Sequence, residues 1–256
     1  MTKPSQFCWY ELMANDPDAA EAFYRAVVGW GARDSGQTAM RYTLLTAGEQ
    51  PVAGLMGLSS EACAAGARPG WGGYIAVENV DAGAARLAEA GGAVHYPPAD
   101  IPGVGRFAIV ADPQGSGFTL FQPAPGTERP SAAMGTPGHV GWHELHAADG
   151  ESAFAFYAGQ FGWTKGDALD MGPMGVYQLF AAGGADIGGM MTKMEGMSAP
   201  GWLFYFNVDE VDAAIARITL NGGQVPMGPH EVPGGSWIVQ GMDPEDAMFA
   251  LVAPRR

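Results

Sequence analysis

Three of the chain's five histidines and one glutamate lie close together in the segment HVGWHELHAADG, residues 139–150. A zinc site of the His-Glu-x-x-His type needs two histidines one helical turn apart on the same face of a helix. Glu144 follows His143 as that pattern requires, but the next histidine is His146, one position too early. The segment therefore carries no helical zinc motif, and its chemistry depends on the element that it forms.

The composition is that of a globular, acidic chain. The chain has 256 residues, of which 47% are hydrophobic, and its net charge is −14. This length and hydrophobic content are sufficient for two domains with packed cores. A chain this negative repels phosphate backbones, so nucleic-acid binding is disfavoured. The sequence has no apolar run that could span a membrane or serve as a signal peptide, and its two cysteines lack zinc-binding spacing. We therefore expect a cytoplasmic protein that binds neither nucleic acid nor membrane.

The sequence contains an internal duplication. Three segments of the first half recur in the second: 8–30 at 141–163, 70–92 at 201–223, and 112–123 at 243–254. A stretch rich in Pro, Gly, Ser and Ala separates the two copies and has the character of a linker. We predict two tandem domains, residues 1–124 and 139–256, joined by a linker at 125–138.

Each half consists in turn of two smaller units. In the first half, a short strand precedes a helix that Asp16 and Pro17 begin and Gly29 ends, and two strand-like runs follow at 41–48 and 51–58. The order then repeats, with a strand at 72–80, a helix at 81–92, and strands at 106–112 and 118–123. This pattern predicts an α+β fold of four βαβββ modules.

The repeated motifs are a helix with Phe-Tyr before Gly-Trp, a V-x-x-V-D-A helix start, and D-P followed by F-x-L near the end of each half. They resemble the motifs of the vicinal oxygen chelate superfamily, which includes glyoxalase I, extradiol dioxygenases and bleomycin-resistance proteins. The resemblance covers nearly all of both halves and is greatest to the tandem two-domain, glyoxalase-like branch. It implies that the curved mixed sheets of paired modules enclose cavities, usually with a metal inside.

The positions of the metal ligands that the resemblance implies hold unsuitable residues. The first position maps to Trp9 and Trp142, and an indole nitrogen is only a donor. The others map to 52–58 and 187–191, which lack His, Asp and Glu, and to Gly72, Leu203, Thr119 and Ala250. We therefore expect the fold without the metal and no cofactor, with a divalent metal as the alternative.

Strand alternation selects the candidate catalytic residues. If 139–150 contains a strand, Trp142, Glu144 and His146 share one face, and His143 lies on the other. Glu144 and His146 are then candidates, as is Glu11, the equivalent of Glu144 in the first half. A buried glutamate could act as a general acid or base, or it could be an ionised carboxylate held by hydrogen bonds.

The candidate ligand-binding residues are mostly aromatic. They are Trp9, Trp142, Tyr74, Tyr205 and Thr119, together with Arg106, which could meet a ligand carboxylate. An aromatic cavity with a glutamate suits a flat or cationic organic ligand.

Three functions fit these residues. The sequence favours a metal-free protein that binds a small organic molecule, as the bleomycin-resistance branch does. The alternative is a lyase, isomerase or hydroxylase/dioxygenase-type enzyme that uses Glu144 and His146 on a small metabolite or toxic aldehyde. In a third reading, one domain is only a scaffold for the other. A monomer and a homodimer both remain open.

Overall fold

The computed structural model describes residues 5–37, 40–64, 66–127 and 132–256. Module 1 consists of β1 (Phe7–Ala14), α1 (Pro17–Val28), β2 (Gly31–Asp34), β3 (Tyr42–Ala47) and β4 (Gln50–Gly57), followed by the short helix α2 (Ser60–Ala64). Module 2 consists of β5 (Gly70–Ala76), α3 (Val80–Glu89), β6 (Ala93–Ile101), β7 (Gly105–Ala111) and β8 (Gly117–Pro123).

The second half repeats this order. Module 3 consists of β9 (Val140–Ala147), α4 (Gly150–Phe161), β10 (Thr164–Asp170), a 3₁₀ turn (Gly172–Met174), β11 (Val176–Ala181) and β12 (Asp186–Thr192). Module 4 consists of β13 (Gly201–Asn207), α5 (Val211–Leu220), β14 (Gln224–Glu231), β15 (Trp237–Met242) and β16 (Met248–Ala253). The α+β fold of four βαβββ modules is thus confirmed, and the histidine segment lies on strand β9.

Equivalent helices begin and end on equivalent residues. The Asp16 side chain accepts hydrogen bonds from two N–H groups in the first turn of α1, and Gly29 ends that helix with a left-handed φ of 86°. Asp149 caps α4, where the Ser152 hydroxyl and N–H lower the pKa of its carboxyl, and Gly162 ends the helix with φ 71°. None of the helices in the described ranges is both long and apolar enough to cross a membrane.

The four strands of each module lie side by side in a mixed sheet. The strand orders within the modules are β2-β3-β4-β1, β5-β8-β7-β6, β10-β11-β12-β9 and β13-β16-β15-β14. In each module the first and last strands are parallel, as β1 and β4 are, and the other neighbours are antiparallel. Strands β6 and β14 lie at sheet edges, and their prolines fall where the register with the neighbouring strand shifts.

The chain folds into two compact units, and each unit takes one module from each half. Unit 1 holds most of modules 2 and 3, namely the described parts of Met1–Cys8, Gly73–Ser131 and Trp142–Trp202. Unit 2 holds most of modules 1 and 4, namely Trp9–Gly72, Ala132–Gly141 and Leu203–Arg256 in their described parts. The predicted boundaries of the tandem domains stay a prediction, since linker residues 128–131 lie outside the described residues.

A buried hydrogen-bonded chain explains why module 1 packs on module 4 in unit 2. The Trp71 indole N–H donates to the Tyr24 hydroxyl over 2.9 Å, and this hydroxyl donates to an Asp243 oxygen over 3.1 Å. Burial, reinforced by the Asp243 charge, raises the pKa of Tyr24 well above its ordinary value, so the hydroxyl keeps the proton that it donates. A helix tyrosine of one half is thereby bonded to a turn aspartate of the other.

Unit 1 contains the equivalent chain. Trp202 donates to the Tyr157 hydroxyl over 3.1 Å, and the hydroxyl donates to Asp112 over 3.1 Å. The other Asp112 oxygen accepts from the N–H groups of Gln114 and Ser116 and so also fixes the turn after β7. The repeated Phe-Tyr and Asp-Pro motifs therefore join modules of different halves.

Candidate functional site

A hydrogen-bonded trio of Trp9, Tyr42 and Glu11, called the first trio below, lies on one sheet face of module 1. The Trp9 indole N–H donates to the Tyr42 hydroxyl over 3.0 Å, and the hydroxyl donates to Glu11 Oε2 over 2.8 Å. Trp9 and Glu11 are two residues apart on β1 and therefore share a face, which Tyr42 reaches from β3. All three side chains are half-buried.

Module 3 contains the same arrangement, the second trio of Trp142, Tyr177 and Glu144. Trp142 donates to the Tyr177 hydroxyl over 2.7 Å, and Tyr177 donates to Glu144 Oε2 over 2.9 Å. A fourth group joins here, because His146 Nε2 lies 2.8 Å from Glu144 Oε1. Glu144 and His146 are 8% and 7% exposed, so this pair is more enclosed than the first trio.

Donor chemistry fixes the direction of these bonds. Because an indole nitrogen only donates, the tyrosine hydroxyl accepts from tryptophan and turns its own proton toward the glutamate. Glu144 then accepts at both oxygens, so His146 donates from Nε2. The Nδ1 atom of His146 is buried and has no hydrogen-bond partner. In each trio, the tyrosine hydroxyl thus orients a glutamate carboxylate, which is a hydrogen-bond acceptor beside two aromatic rings.

His143 lies on the other face of β9, as strand alternation predicts. Its Nδ1 lies 2.7 Å from the Ile187 carbonyl oxygen, and its ring stacks on Phe7 with 4.3 Å between centroids. Burial lowers the pKa of His143 to about 4, so the ring is neutral at pH 7 and Nδ1–H donates to the carbonyl. His143 therefore takes part in packing and does not meet the second trio.

The remaining aromatic candidates lie on the strands of modules 2 and 4. Tyr74 on β5 is directly opposite the buried Thr119 on β8 within unit 1. Tyr205 on β13 is opposite Ala250 within unit 2, and its hydroxyl accepts from Gln240 over 3.1 Å. The ligand-binding roles of these residues stay predictions.

Arg106 is engaged by two carboxylates. Its guanidinium contacts both oxygens of Asp81 at 2.8 and 2.9 Å and Asp100 at 2.8 Å. The Asp81 and Asp100 carboxylates raise the pKa of Arg106 further above its already high value, and Arg106 in turn lowers that of Asp81. A ligand carboxylate would have to displace one of these partners.

The donors present do not fit the metal that the family resemblance implies. In the part of the chain that the structure describes, no three His, Cys, Asp or Glu side chains group closely enough to share an ion, whereas a protein metal site commonly uses at least three such ligands. Glu144 and His146 bond to each other. The neighbouring strand places Gly189 opposite Glu144 and Gly54 opposite Glu11, and a glycine contributes no ligand.

Sequence reasoning missed Tyr42 and Tyr177, the central members of the two trios. The signal was present in the duplication, because RYTLL at 41–45 matches VYQLF at 176–180 with the tyrosines aligned. That match is short and does not show which side chains the tyrosines meet. Only the register between strands brings each of them to its glutamate.

Known proteins resemble this chain along nearly its whole length. A Mycobacterium tuberculosis protein provisionally named glyoxylase CFP32 is 30% identical over 249 residues, covering 96% of this chain and 94% of its own. The anthracycline biosynthesis protein DnrV of Streptomyces peucetius is 29% identical over 267 residues, covering 98% and 94%.

Solved structures show the same fold. The Mn(II)-bound glyoxalase from Novosphingobium aromaticivorans superposes with a TM-score of 0.68 at 20% identity, covering 99% of this chain and 83% of that one. The 2,3-dioxygenase LapB from Pseudomonas sp. KL28 superposes at 0.66 with 12% identity, covering 99% and 93%. One family model matches twice, at residues 6–120 and 137–251. The chain therefore belongs to the Glyoxalase/Bleomycin resistance protein/Dioxygenase superfamily.

Proposed function

We propose that this protein binds a small, flat organic molecule at the two trios and does so without a catalytic metal. One observation carries the proposal: a Trp–Tyr–Glu trio recurs in both halves, next to strand positions that lack metal-binding side chains. Aromatic rings beside a few convergent polar groups are typical of small-molecule sites. Neither trio offers the donor set that a metal-dependent step would need.

The chemistry of the trios favours a ligand that donates hydrogen bonds or carries positive charge. Each tyrosine proton is directed at its glutamate, so the glutamate is the stronger acceptor that a ligand N–H or O–H group would compete for. The net charge of −14 favours cations over anions. Indole and phenol rings add stacking and cation–π attraction.

The names of the relatives support a small organic ligand. The Streptomyces peucetius protein is named for anthracycline biosynthesis, and the Mycobacterium tuberculosis protein is named as a glyoxylase. Both names concern organic compounds.

The second candidate function is an enzyme, and the contact between Glu144 and His146 favours it. A buried carboxylate 2.8 Å from an imidazole is an arrangement that general acid–base catalysis uses. In this alternative, a glyoxalase-like lyase or isomerase would move a proton at a substrate carbon, with Glu144 as the base and His146 orienting it. Met13 takes the place of His146 in the first half, so that activity would belong to module 3.

One experiment separates the two candidates. The untagged protein is analysed for bound metal and then titrated with a panel of flat hydroxylated aromatics, flat aromatic amines and short dicarbonyl compounds, with tryptophan fluorescence as the readout. We expect a member of the first two groups to quench the fluorescence without added metal. Glu144→Gln should lower the affinity of the protein for that ligand. Exposed Glu151→Gln is the matched control and should bind as the wild type does.

Three outcomes would contradict the binding proposal. One is stoichiometric, tightly bound metal, and another is a Glu144→Gln variant that binds every panel member normally. The third is turnover of a dicarbonyl that Glu144→Gln abolishes while binding persists, which would establish the enzyme instead.

A further inference from the structure

Two glycines lie under the tyrosine rings of the trios. A methyl group built on Gly54 would overlap the hydroxyl and ring of Tyr42, and one built on Gly189 would overlap the ring of Tyr177. Neither glycine has a positive φ, so the backbone conformation does not require glycine at these positions. The requirement is for space.

The strand register explains why each ring lies there. Gly54 on β4 is opposite Leu44 on β3 and opposite Glu11 on β1, so it lies between the strand that carries the tyrosine and the strand that carries the glutamate. Tyr42 is two residues from Leu44 and leans diagonally across Gly54 to reach Glu11. Its ring occupies the volume that a side chain on β4 would fill.

Module 3 has the same register. Gly189 is opposite Leu179 on β11 and Glu144 on β9, and Tyr177 crosses it to reach Glu144. Two copies that differ at many other positions thus keep the same glycine, tyrosine and glutamate.

We infer that Gly54 and Gly189 are positioning residues of the two trios, and that a side chain at either position and the tyrosine–glutamate bond beside it exclude each other. The part of this inference that concerns ligands rests on the proposed function. This strand is also one of those in which the family resemblance implies a metal ligand.

The test uses the full chain without ligand. The variants are Gly189→Ala, Tyr177→Leu and the combination of both, with Gly201→Ala as the matched control, since a methyl group there meets no atom within 4 Å. The readouts are the indole N–H resonance of Trp142 in a ¹⁵N correlation spectrum, assigned by Trp142→Phe, and the urea midpoint. The chain has seven tryptophans, so the other indole signals report whether the fold survives.

We expect Gly189→Ala to move the Trp142 indole resonance toward its position in Tyr177→Leu while the other indole signals stay in place. In the Tyr177→Leu background, adding Gly189→Ala should no longer lower the urea midpoint, because the overlapping ring is absent. A Gly189→Ala variant that behaves like Gly201→Ala in both readouts would overturn the inference. So would a fall in the midpoint that is equally large with and without Tyr177.

The ligand found with the panel is added last. We expect Gly189→Ala to lower the affinity for this ligand about tenfold, the factor that the loss of one hydrogen bond of ordinary strength produces. Movement of the indole resonance with unchanged ligand affinity would leave the positioning role standing and refute the trio as the ligand site. Failure of the proposed function is therefore distinguishable from failure of this inference.

Discussion

Acid sensitivity should depend on His143, a buried histidine outside the candidate site. Its side chain is 7% exposed, and burial lowers its pKa from 6.5 to about 4, only partly opposed by the bond to the Ile187 carbonyl. The folded state therefore keeps the ring neutral over a pH range in which the unfolded chain takes up a proton. The stabilisation is complete above pH 6.5 and is lost as the pH falls toward 4.

The size of the effect follows from this shift. Each pKa unit corresponds to about 1.4 kcal/mol, so the whole shift contributes roughly 3 kcal/mol to the free energy of unfolding, and about 2 kcal/mol of it is already lost at pH 5. Replacing His143 by Phe keeps a ring to stack on Phe7 but removes the titrating group. Between pH 7 and pH 5, the free energy of unfolding of the variant should fall by about 2 kcal/mol less than that of the wild type.

Urea unfolding at both pH values, followed by tryptophan fluorescence, measures this difference. Tyr10 occupies the position equivalent to His143 in the first half, so Tyr10→Phe is the matched control, with no imidazole to titrate. Its pH dependence should equal that of the wild type. If His143→Phe and the wild type lost the same free energy between the two pH values, burial of His143 would not be a source of acid sensitivity.

Three further predictions concern the bonds that join the modules and the surface. Tyr157→Phe should lower the free energy of unfolding by about 2–4 kcal/mol in urea titrations, because it leaves one oxygen of the buried Asp112 and an indole N–H without a partner; a loss below about 1 kcal/mol would refute this role. Glu245→Ala should lower Tm by several degrees, since its carboxylate accepts two backbone N–H bonds at the start of α1, and Glu245→Gln should recover part of the loss. Arg106→Ala should lower Tm only slightly, because the Asp81 and Asp100 carboxylates that it contacts are largely solvent-exposed, and the difference should vanish in molar salt; a salt-independent loss would contradict it.

The sequence predicted the elements with strong local signals well. Helix α1 begins after the capping residue Asp16 and ends at Gly29, as the sequence predicts. The alternation of β9 correctly separated His143 from Glu144 and His146. The edge strands β2 and β6 were not recognised. They are short or rich in proline and exposed residues, so they lack the apolar alternation by which strands are identified.

By itself, the sequence determined the four modules and the neighbouring positions of Glu144 and His146, since these follow from patterns within a few residues. It also determined the duplication, which follows from direct comparison of the two halves. Tertiary structure decided the rest. Tyr42 and Tyr177 meet glutamates more than thirty positions away because strand register places a glycine between them. The pairing of modules from different halves likewise depends on buried bonds between residues distant in the chain, which no local pattern encodes.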